Sequence, residues 1–71
     1  MPPTLAAILD AERSRRALSV YRLAKDTGVS TPTLHAILDG TRPNPGILTV
    51  RKVLAGLGKS LSWLDRQMNR E

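Results

Sequence analysis

An all-α fold, a compact bundle of five short helices, is what this sequence predicts, and three observations carry the prediction. Phe is absent and the only aromatics are Tyr21 and Trp63, so the apolar residues are mostly the Leu, Ile, Val and Ala of small helical bundles. Apolar residues recur at three- and four-residue steps along most of the chain. Each such stretch opens at a Ser or Thr or behind a Pro-rich loop, and three close at a Gly. With 71 residues the chain is expected to form a single domain over 1–71. At that size folding buries only about 60% of the chain's surface, so the core has to be compact.

The first helix follows Pro2-Pro3, with Thr4 as its cap, Leu5, Ile8 and Leu9 on its apolar face, and its end near Ala17. Ser19 caps a short second helix with Val20, Leu23 and Ala24 inward, and Gly28 supplies the residue at positive φ that stops it. Ser30 or Thr31 caps a third helix over about residues 30–39. Pro32 lies in its first turn, where a missing N–H is tolerated, and Leu34, Ile37 and Leu38 form its inner face. Asp39-Gly40 closes it, and Thr41-Arg42-Pro43-Asn44-Pro45-Gly46 reads as a stiff loop. Ile47, Val50, Val53, Leu54 and Leu57 mark the inner face of a fourth helix that Gly58 ends. Ser60 caps a fifth with Leu61, Leu64 and Met68 on one stripe. Trp63 falls off that stripe, so it either closes the bundle from another side or meets a partner.

The net charge of +5 suits a polyanionic partner, but its distribution says more. Residues 1–18 carry +1, residues 19–39 are neutral (Arg22 and Lys25 against Asp26 and Asp39), and residues 40–71 carry +4. Any electrostatic grip therefore comes from around the third helix and not from it. With no Cys, a disulfide framework and a Cys-based zinc site are excluded. One His, no Cys and no clustered carboxylates leave no nucleophile with its base and no metal site, so neither an enzyme nor a cofactor is expected. The longest apolar run, Leu5-Ala6-Ala7-Ile8-Leu9, is far too short to span a bilayer, and no secretion signal is evident. The basic residues are scattered over several helices and do not form a membrane-surface helix. A soluble, cytoplasmic chain is the expectation.

Residues 19–38 combine two short helices, a tight turn with Gly28, and the small Ala24 where the helices must approach, which is a helix-turn-helix. The segment from Leu18 to Leu64 closely resembles the Cro and C1 repressor family, a group of small XRE-like, lambda-repressor-like regulators. The residues carrying the resemblance are Leu23-Ala24, Gly28-Val29-Ser30, Leu34, Ile37, Gly40, Pro45, Leu57-Gly58, Ser60 and Leu64. The resemblance implies that the third helix lies in the major groove of double-stranded operator DNA. It also implies a homodimer, formed in solution or only on DNA, through the turn into the fifth helix, where Lys59, Ser60 and Trp63 stand.

Three departures from the family pattern bear on function. Val20 stands where relatives commonly carry a phosphate-touching Gln, Arg13 faces Leu38 in place of the usual Glu, and the loop after Gly40 is about one residue longer. Arg13 is then expected to pair with Asp10 or Asp39, or to be freed towards phosphate. By position, Thr31, Pro32, His35 and Ala36 face the groove and Thr33 lies nearer a phosphate, while Arg42, Asn44 and Tyr21 are candidates for phosphate contacts. Thr and Pro can meet thymine methyls and His35 can donate to guanine, but no bidentate Arg–guanine or Gln–adenine pair is available. Direct readout is thus expected to be thin, with more specificity left to DNA shape. Two alternatives stay open: the antitoxin of a toxin pair, and a helical protein-interaction module that has lost DNA reading.

Overall fold

The computed structural model describes residues 4–42 and 45–69. Five helices follow one another: α1 (Leu5–Arg15), α2 (Val20–Thr27), α3 (Thr31–Leu38), α4 (Ile47–Gly56) and α5 (Leu61–Met68), and no strand occurs among the described residues. Four helices start at a hydroxyl cap, in each case through a backbone N–H three residues on. Thr4 accepts from Ala7, Ser19 from Arg22, Ser30 from Thr33 and Ser60 from Trp63. α4 starts at Gly46 without a side-chain cap.

Packing runs α2 on α4 and α3, and α1 on α3 and α5. Leu9, Leu23, Leu34, Ile37, Val53, Leu54 and Leu57 are fully buried at the centre, and Ile8, Val29, Leu38, Val50 and Leu64 close the core around them. The inner faces of α1 to α3 are those expected, with Leu5, Val20 and Ala24 only partly covered. α4 and α5 differ from expectation. Ile47 is 60% exposed and Leu48 is exposed beside it, so the inner stripe of α4 begins at Val50. In α5 only Leu64 of the expected stripe is buried, Leu61 and Met68 are exposed, and Trp63 packs on the core. The reason is geometric: the covering neighbours reach only Val50 to Leu54 of α4 and the middle of α5, so each periodic stripe runs past the surface that could cover it.

α1 ends in a Schellman arrangement, with Ala17 N–H on Ser14 and Leu18 N–H on Arg13, and this sets Ala17 at φ 55°. An alanine there costs roughly 1 kcal/mol of backbone strain. The Arg13 guanidinium holds the corner by bonding Asp10 at 3.0 Å and the Leu18 carbonyl at 2.6 Å, which decides between its two expected partners in favour of Asp10.

α2 and α4 touch at Gly56. A methyl group added there would run into Thr27 Cγ2 and lie 3.0 Å from Leu23 Cδ1. Thr27 cannot turn away, because its hydroxyl donates to the Leu23 carbonyl at 2.8 Å and accepts from Val29 N–H at 3.2 Å. Overpacking of ~1–3 kcal/mol outweighs the ~1 kcal/mol gained in helix propensity. Gly56→Ala should therefore lower stability by about 1 kcal/mol, read as an earlier urea midpoint. Adding Thr27→Ser, which removes the methyl and keeps the hydroxyl, should recover most of the loss; no recovery would mean that the contact is not the cause.

Candidate nucleic-acid interface

The α2–α3 unit is built from its turn outward. Gly28, at φ 75°, ends α2 with its N–H on the Ala24 carbonyl at 2.9 Å. Val29 is buried against the core, so the turn is anchored by apolar burial as well as by backbone bonds. Ser30 then starts α3 twice over: its Oγ accepts from Thr33 N–H at 3.3 Å, and its hydroxyl donates to Thr33 Oγ1 at 2.8 Å. Leu23 and Leu34 are both fully buried, and α2 packs directly on α3.

Burial of Leu34, Ile37 and Leu38 fixes which side of α3 remains outside. At 100° per residue the direction opposite them falls between Pro32 and Ala36, with His35 on one side. Pro32 and His35 are exposed, and Thr31, Thr33 and Ala36 are half-buried. Ala36 is partly covered because its carbonyl accepts from Arg42 N–H at 3.0 Å and from the Thr41 hydroxyl at 3.3 Å. The Thr33 oxygen accepts from the Ser30 hydroxyl, so its own O–H is left to donate outward.

At the end of α3, Thr41 donates to Asp39 Oδ1 through its N–H at 2.9 Å and its hydroxyl at 2.8 Å. These two bonds, with the positive side of His35 adding to them, hold the Asp39 carboxyl below its ordinary pKa. The turn also pins the backbone of Arg42 to α3. Its guanidinium is exposed and has no partner among the described residues. Tyr21, at the start of α2, is 73% exposed, whereas Val20 beside it is half-buried on the core. Asn44, the remaining candidate, lies outside the described residues.

Lys59, Ser60 and Trp63 are brought together at the start of α5, and each already has a task within the chain. Ser60 caps α5, Lys59 Nζ lies 5.3 Å above the Trp63 ring, and the same Nζ is 3.9 Å from Glu12 Oε2. Leu61 and Ser62 next to them are exposed. Two residues were missed by sequence reasoning. Thr41 was signalled by the Asp39-Gly40-Thr41 spacing of an Asx turn. Glu12 was signalled only by Arg15 and Arg16 at helical spacing, a pattern that says nothing of burial.

Among the described residues no group of three or more His, Cys, Asp or Glu could hold a metal ion, and no helix is long and apolar enough to cross a membrane. The arrangement offers a protruding helix with small and polar outward groups, and a cation fastened at its end. Such an element can enter a DNA groove and meet phosphate beside it.

Comparison with known proteins agrees with that geometry. The chain is 43% identical over 47 residues to an uncharacterized protein of Methanocaldococcus jannaschii, a match covering 66% of this chain and 49% of that protein. It thus spans about half the length of the curated relative it matches. No solved structure matches. A helix-turn-helix family model, of the XRE or Cro/C1 type, matches residues 5–64. The chain belongs to this family of DNA-binding regulators, which is not a family of enzymes.

Proposed function

We propose that the protein is a sequence-specific transcriptional repressor that lays α3 in the major groove of a pseudo-palindromic operator, acts in the cytoplasm as a homodimer, and blocks transcription by occupancy. The observation that supports this best is the outward face of α3. Pro32, His35 and Ala36 stand opposite a fully formed core face, with Thr31 and Thr33 at the flanks. His35 donates to a guanine edge, Thr31, Pro32 and Ala36 meet thymine methyls, and Thr33 faces a phosphate. Arg42, Asn44 and the Tyr21 hydroxyl grip the backbone, and Val20 adds only apolar contact beside it. Two copies pair across the start of α5, around Lys59, Ser60 and Trp63, which spaces the two reading helices by about one DNA turn, ~34 Å.

His35→Ala and Arg42→Ala separate the two roles. His35→Ala should weaken operator binding by ~1–3 kcal/mol and leave binding to random DNA nearly unchanged, whereas Arg42→Ala should weaken both alike. Gel-shift titrations against the protein's own upstream region and against scrambled DNA make the comparison. An unchanged specific-to-random ratio in His35→Ala would remove that residue from the groove.

A further inference from the structure

A groove of about 320 Å³ runs behind the C-terminal end of α3, walled by Leu5 and Ala6 of α1, Ile37 and Gly40 of the α3 end, and Met68 of α5, with Arg42 at its rim. Among the described residues its lining is largely apolar, and Arg42 is the one charged group there, with no partner for its guanidinium. Met68 is 41% exposed, and its unbranched thioether makes that wall adaptable. We propose that this groove binds a small amphiphilic anion, an apolar body carrying a single carboxylate, with the body against Leu5, Ala6, Ile37 and Met68 and the carboxylate on Arg42.

Size and charge both select this class. At about 320 Å³ the groove stands at the lower end of the range for small-molecule sites. A neutral hydrocarbon of that size leaves Arg42 unused, and a polyanion finds one cation and oily walls. The site also has a consequence for DNA. Arg42 is fastened to α3 through its N–H on the Ala36 carbonyl, and a carboxylate bonded to its guanidinium competes with phosphate for the same donors. The ligand thus weakens operator binding from within this domain; this coupling, unlike the binding itself, rests on the proposed phosphate role of Arg42.

The test uses octanoate as the anionic probe and octan-1-ol as its neutral counterpart, with the free protein followed by NMR at the Met68 and Ile37 methyl groups. Octanoate should shift both methyls saturably with a Kd of about 1 mM, as for a small ligand that an open groove covers only in part. Arg42→Gln should abolish the preference for octanoate over the alcohol, and Met68→Glu, an exposed change that places a carboxylate at the mouth, should abolish octanoate binding. Absence of a saturable shift, or equal binding of acid and alcohol to the wild type, overturns the proposal. So do contacts to these methyls from residues 1–3 or from a second copy in the free protein, since the groove is then already filled. A DNA titration reads the coupling separately. Octanoate should raise the operator Kd of the wild type and not that of Arg42→Gln; saturable methyl shifts with an unchanged operator Kd would overturn the coupling alone.

Discussion

Glu12→Gln should cost the fold about 2–3 kcal/mol at neutral pH, and that cost should vanish in acid. Glu12 is a buried charged residue, 7% exposed, on the inner side of α1. Its carboxylate accepts from Arg15 Nε at 3.1 Å and Arg16 Nε at 3.0 Å, and Lys59 approaches from the turn before α5. The bond from Arg15 contributes most, followed by the opposing penalty of burial and then the bond from Arg16, and together they lower the Glu12 pKa from 4.5 to about 2. A shift of that size corresponds to roughly 3 kcal/mol, reduced here because Arg15 and Arg16 are partly in water and can be resolvated when the carboxylate is lost. The sign follows from the direction of the shift. The folded pKa lies below the unfolded one, so the stabilisation is complete above about pH 4.5 and is lost as the pH falls towards about 2. Urea unfolding of the wild type and of Glu12→Gln, followed by Trp63 emission, should give midpoints far apart at pH 7 that converge near pH 2. Midpoints separated equally at both pH values would show that the glutamine fails for some reason other than charge.

Operator affinity should fall by a factor of about 10³ or more between 50 and 200 mM salt, with a log–log slope near −5 to −9 for a dimer that neutralises about 6 to 10 phosphates. The reason lies in α3 itself. Thr31–Leu38 contains no Lys, Arg, Asn or Gln, so its groove contacts are few and the phosphate contacts around it carry most of the binding. The slope also counts subunits. A monomer with half the contacts would give about −3 to −4, and Arg42→Ala in both subunits should reduce a dimer's slope by about 2. Fluorescence anisotropy of a labelled operator over a salt series measures all three. An affinity that is flat over this range would remove DNA as the partner, and the exposed Ile47, Leu48 and Leu61 would then point to a protein surface instead.

The outward side of α3 was legible in the sequence. Leu34, Ile37 and Leu38 share one face at helical spacing, so Pro32, His35 and Ala36 have to share the other. What those side chains meet was not legible, because the turn that fastens Arg42 to α3 depends on the Thr41 and Asp39 side chains closing on each other in space. The pairing of Arg13 with Asp10 was half legible: both candidate acids were visible, and the choice followed from the three-residue spacing along α1.

What the sequence by itself determined is the local chemistry of starts, stops and faces. Thr4, Ser19, Ser30 and Ser60 cap helices because a hydroxyl reaches a backbone N–H only three residues away. Gly28, Gly40 and Gly58 take positive φ because a helix end followed by a reversal asks for it at that residue. The tertiary structure alone decided the burial of Glu12, the packing of Trp63 on the core, the exposure of Ile47 and Met68, and the contact of Gly56 with Thr27. Each of these depends on how far one helix overlaps another. Periodicity states which residues share a face, but it carries no information on where along that face the neighbouring helix begins and ends.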